Sequence, residues 1–137
     1  MLTPDEVHRE LLERGCELRR GASPADIEML QRALGSDIAP YVREIYTRFD
    51  GFVENTADHL SNICVWSINE MLHFRVDRKM VTEIAAFGDL LVHSDFLSCA
   101  LSTSDSPVVL LESQEELSAS FEMFWFKFLN SEYDICG

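Results

Sequence analysis

Positive charge is what this sequence lacks most. Eleven Lys and Arg stand against 24 Asp and Glu, for a net charge of −13, and beyond residue 79 the sole base is Lys127. A chain so poor in cations is not equipped to hold phosphate, which argues against a nucleic-acid binder and against docking on an anionic membrane. Long apolar runs are missing too: no segment reaches the ~20 residues of a membrane-spanning helix. The N-terminal stretch carries charge from Asp5 onward and has no apolar core of a signal peptide. Cysteine is sparse. Cys16, Cys64, Cys99 and Cys136 form no C-x-x-C pair, so we expect free, mostly buried thiols and a cytoplasmic protein.

The usual signatures of chemistry are also absent. There is no Gly-rich phosphate loop, no G-x-S-x-G and no H-E-x-x-H. His93-Ser94-Asp95 holds the residue types of a hydrolase triad, but neighbours on a strand point to opposite faces and cannot form a relay. His59 with Cys64, or Cys64 with His73, does not match zinc-ligand spacing. We therefore expect no catalytic residues, no metal and no cofactor, and the weight shifts toward a binding role.

What is present is a globular chain of one-domain length, 47% apolar over 137 residues. Thr3-Pro4 with Glu6, and Ser23-Pro24 with Asp26, read as helix starts. Val7, Leu11 and Leu18 lie on one face of the first helix, with Gly15 and Gly21 as breaks. Ile27, Leu30 and Leu34 mark the second, ended by Gly35. Val42, Ile45, Tyr46 and Phe49 predict a third helix after Pro40, stopped by Asp50-Gly51, with Phe52 folding back beside Phe49. A polar loop over 53–61 leads to a strand at Asn62–Trp66 and, from the Ser67/Glu70 box, a short helix over 68–74. From residue 84, four short apolar runs broken by Gly88-Asp89, Ser94-Asp95 and Ser104–Ser106 predict an antiparallel meander. Ser113 and Glu116 predict the start of a last helix striped by Leu117, Phe121, Phe124, Trp125, Phe128 and Leu129, with Phe126 off the stripe. The fold class expected is α+β, with helices around an antiparallel sheet of about four to six strands.

The stretch Ala25–Phe52 resembles the opening of the SUKH superfamily, which includes fungal cell-wall-synthesis regulators and bacterial immunity proteins. Leu34-Gly35, Pro40-Tyr41 and Asp50-Gly51 carry the likeness, and Ser118–Leu129 resembles the family's closing helix. The resemblance spans roughly residues 24–130 and is strongest over 24–52 and 84–130. It implies a non-enzymatic immunity protein that occludes a cognate toxin domain, basic and of nuclease type, as a monomer or weak dimer. The alternative is a scaffold or regulatory domain without a toxin. Candidate contact residues are acids expected on turns: Asp50, Glu54, Asp58, Asp89, Asp95, Asp105 and Glu112. Phe52 and Phe126 are candidate aromatic anchors.

Overall fold

The computed structural model describes residues 2–53, 62–90 and 94–133. Helix α1 (Pro4–Glu13) opens on a reciprocal capping box: Thr3 Oγ1 accepts from the Glu6 N–H at 3.2 Å, and Glu6 Oε1 from the Thr3 N–H at 3.0 Å. Leu18 does not continue that helix. It starts strand β1 (Leu18–Arg20), which the sequence pattern did not predict. Helix α2 (Pro24–Leu34) has the same box from Ser23 and Asp26, buries Ile27, Leu30 and Leu34, and ends at a left-handed Gly35, all as expected.

Helix α3 (Pro40–Arg48) buries Val42, Ile45 and Tyr46, but Phe49 lies outside it. Phe49 is extended (φ −152°, ψ 137°) and begins β2 (Phe49–Phe52), the antiparallel partner of β1. Asp50-Gly51 is thus inside a strand and is not a helix stop. The glycine is required for another reason. Gly51 has φ +78°, and a Cβ there would sit 2.4 Å from the Trp66 carbonyl carbon. Phe49 and Phe52 do seal the core: their rings lie 5.7 and 6.3 Å from Trp125.

Strand β3 (Ile63–Val65) and helix α4 (Ile68–Asp77) follow, the latter on the predicted Ser67/Glu70 box and running three residues further than expected. Then come β4 (Ile84–Leu90), β5 (Asp95–Ala100), β6 (Val108–Leu110), β7 (Glu116–Ser118) and α5 (Phe121–Leu129). Strands β3 to β7 form one antiparallel meander in chain order. The protein is α+β, with a two-stranded and a five-stranded antiparallel sheet.

Two expectations fail here. Gly88-Asp89 does not break the chain but lies within β4, next to a bulge between Ala86 and Gly88. The last helix starts at Ser120, not Ser113. Glu116 and Leu117 belong instead to β7, because the Leu110 N–H donates to the Glu115 carbonyl at 2.8 Å and closes a hairpin. Strand pairing outcompetes a helix-start pattern that has no tertiary support at that point.

The inner face of the five-stranded sheet packs on α5. Phe87 lies 5.2 Å from Phe121 and 5.5 Å from Phe124, while Trp125 and Phe128 are fully enclosed. Leu97 and Leu110, cross-strand partners, are buried on this face.

Candidate functional site

The outer face is covered over only part of its area. There α4 lays Phe74 against Trp66 and Phe96, with ring centroids 5.0 and 4.7 Å apart. Asp89, opposite Phe96 in register, accepts a hydrogen bond from Trp66 Nε1 at 2.7 Å. The Arg78 guanidinium lies 5.0 Å from both the Phe74 and Phe96 rings and pairs with Glu112 at 3.0 Å.

Beside this cover the face opens into a groove of about 410 Å³, lined by Met80, Ile84, Ser98, Val109, Leu111 and Gln114 among others. Ser98 and Val109 face each other across β5 and β6, one step out of phase with the buried Leu97 and Leu110, so alternation puts them on the outer face. The floor's polar groups are turned to the backbone. Ser98 Oγ donates to the Val109 carbonyl at 2.8 Å, and Gln114 Nε2 to the Leu111 carbonyl at 2.7 Å. What the groove presents is therefore mainly apolar, and Val81 next to it is 90% exposed. Cys99 also contributes to the lining, but its thiol is buried, which pushes its pKa up to about 12 and keeps it protonated.

Each wall has one buried charge behind it. Arg75 Nη1 donates to the Ile84 carbonyl at 3.1 Å and Nη2 to the Thr82 carbonyl, fixing the segment that leads into β4. Burial holds the Arg75 pKa below its usual value. On the other wall, Asp95 Oδ1 accepts from the Phe96 and Glu112 N–H groups, both at 2.8 Å, and Oδ2 from the Ser113 N–H at 3.1 Å. Burial alone would raise the Asp95 pKa, but the donors from Glu112, Phe96 and Ser113 together outweigh it and hold it below the ordinary carboxylate value.

The walls also hold backbone strain. Lys79 (φ 53°) and Gln114 (φ 65°) are left-handed without being glycine, a conformation that costs roughly 1–2 kcal/mol per residue. Asn62 (φ 57°) and Ser131 (φ 58°), which do not line the groove, are left-handed too. Exposed charge near the groove is mainly acidic: Glu83, Asp105, Glu112 and Glu115 are exposed, Glu112 being paired with Arg78, and no Lys or Arg occurs in the sequence between Met80 and Glu116.

The candidate contact residues separate on this frame. Asp105, beside Ser106 and Pro107 of the groove lining, and Glu112, beside Leu111, stand exposed at its rim. Phe126 is 38% exposed, on α5 and so on the opposite side of the sheet. Phe52 is 0% exposed and is no anchor for a partner, because it packs under Trp125 and Phe128. Asp89 is 6% exposed in mid-strand, its carboxylate committed to Trp66, and Asp95 is buried as the holder of a turn; neither is a contact acid. Asp50 is half-buried, and its Oδ1 accepts from the Ile68 N–H at 2.8 Å, capping α4. Burial is the main reason its pKa is raised. Glu54 and Asp58 lie outside the described residues, as do His59, His93 and Cys136. Among the described residues no His, Cys, Asp and Glu cluster to hold a metal.

Sequence reasoning missed Arg75, Met80, Val109 and Leu111. A signal for Arg75 existed: it falls at i+7 from Ile68 and i+4 from Met71, on the buried stripe of α4. An arginine on an apolar stripe has to find acceptors inside the protein. No helix among the described residues is long and apolar enough to cross a membrane. Compared with known proteins, the chain matches no family model and no curated protein.

Proposed function

We propose that this is a protein-binding domain that takes an apolar side chain of a basic protein into the outer-face groove. The observation that carries the reading is an apolar groove with internally fixed walls, set in a stretch that contains acids and no Lys or Arg. Asp105 and Glu112 at the rim steer a cationic partner and reject an anionic one, while the groove supplies the anchor. The likeness of residues 24–130 to the SUKH superfamily gives the partner its kind: a basic toxin domain of nuclease type, neutralised in the cytoplasm by occlusion, one to one. No bond-making chemistry is involved. The exposure of Phe126 away from the groove favours a second reading, a scaffold that joins two proteins.

The test is affinity capture from the native host with wild type and with a Leu111→Asp, Asp105→Lys, Glu112→Lys variant, washed at low and then high salt. One basic protein retained by wild type, released by salt and lost from the variant is the expected result. Equal recovery by both proteins would remove the groove from the interface. Several partners lost only on Phe126→Ala would support the scaffold.

A further inference from the structure

A second, smaller cavity lies on the other side of the β6–β7 hairpin. It measures about 200 Å³, and Leu90, Leu110, Leu117 and Tyr133 line it together with Glu115 and Glu132. Small-molecule pockets usually run to roughly 300–1,000 Å³, so this one suits a single side chain. Its apolar lining comes from β3, through Ile63, and from β4, β6 and β7, and its wall from the residues after α5. Tyr133 is fixed there, its hydroxyl donating to the Leu117 carbonyl at 3.0 Å. The two carboxylates are exposed, and no base pairs with either among the described residues. Lys127, the sole base after residue 79, forms no ion pair with them.

An apolar slot with two unneutralised acids is complementary to one class of side chain, a long alkyl stem that ends in a cation. We infer that this slot takes a lysine or arginine side chain of the partner protein, with the stem against Leu90, Leu110 and Leu117 and the cation at Glu115 and Glu132. The inference rests on the reading of a basic partner and adds a second contact to it. The groove takes an apolar group on one side of the hairpin, and the slot takes a charged one on the other. A partner must then straddle the 111–115 turn, which sets the spacing between its apolar anchor and its cation.

The probes are n-butylammonium and n-butylguanidinium, with n-butanol as the neutral control, titrated into the whole chain and followed by NMR. The cations should shift the methyl signals of Leu90, Leu110 and Leu117 and the ring of Tyr133 saturably. A Glu115→Gln, Glu132→Gln variant should weaken them about tenfold and leave n-butanol unchanged; both positions are exposed, and an unaltered melting curve will show the variant folded. No shift at these residues, or equal affinity in the variant, overturns the inference. The groove reading fails separately, when Leu111→Asp leaves partner capture intact, so the two outcomes are distinguishable.

Discussion

The two faces of the five-stranded sheet solve the same problem differently. The inner face is closed by large rings: Phe87 meets Phe121 and Phe124, and Trp125 sits at 0% exposure. The outer face is closed over part of its area by Phe74 and Phe96 under Arg78, and elsewhere is left open, with charge behind its walls. Apolar burial is non-directional and adds up over area, so it suits the face that must hold the fold together. Hydrogen bonds to a buried Arg75 and a buried Asp95 are directional, so they suit the face that must hold a shape. One face is built for stability and the other for position.

The sharpest way to break this contrast is to truncate one residue on each face. Trp125→Ala should cost about 3–5 kcal/mol, enough to unfold a large share of a marginal domain. Leu111→Ala, at the groove, should cost less than about 1 kcal/mol. Urea denaturation of both variants measures the difference, and similar losses would mean that the outer face is also core.

A smaller effect tests the positional role. Asp95→Ala leaves three N–H groups without their acceptor and should cost about 1–3 kcal/mol. Amide exchange should speed up at Glu112 and Ser113 and stay unchanged at Phe87. The pH dependence follows from the sign of the shift. The Asp95 pKa is lowered on folding, so its contribution is present above the unfolded value near ~3.9 and is lost as pH falls through the folded one. Asp50 runs the other way: its pKa is raised, so its contribution is largest in acid and declines as pH rises. Wild type should therefore lose more stability than Asp95→Ala when melting is compared between pH 6 and pH 3, as experimental settings spanning ~3.9. Parallel losses would show that the turn is held by something else.

The smallest expected effect is at the exposed Arg78–Glu112 pair. Glu112→Gln should change stability by about 0.2–1 kcal/mol, while weakening capture of a basic partner at low salt. A large stability loss would reassign Glu112 from rim to framework.

The sequence and the structure agree where the physics is local. Three helix-start caps, the left-handed Gly35, the buried stripe of α2 and most of those of α3 and α5 were readable, because each rests on residues within a turn or two of one another. What was not readable was decided by distant partners. Phe49 leaves the helix because its strand partner, Arg20 of β1, waits 29 residues upstream. Glu116 and Leu117 join a strand because β6 is already beside them. The acids divided on the same ground. Asp89 and Asp105 look alike in sequence, yet Trp66, 23 residues away from Asp89, takes one out of the surface. Charge excess was visible in the composition, but which carboxylates remained available was a property of the fold.

The 111–115 turn lies between the groove on one side and the slot on the other, and it supplies lining residues to both. Its place is set by Asp95 from a neighbouring strand, through backbone N–H groups that any non-proline residue would offer. The exposed side chains of Glu112 and Glu115 can therefore change without removing those bonds, whereas Gln114, left-handed and bonded to the Leu111 carbonyl, helps to shape the turn. Substitution at those exposed positions alters the rims of the groove and the slot and leaves the aromatic core untouched. The rim of the outer face and the aromatic core are built from separable parts of the chain.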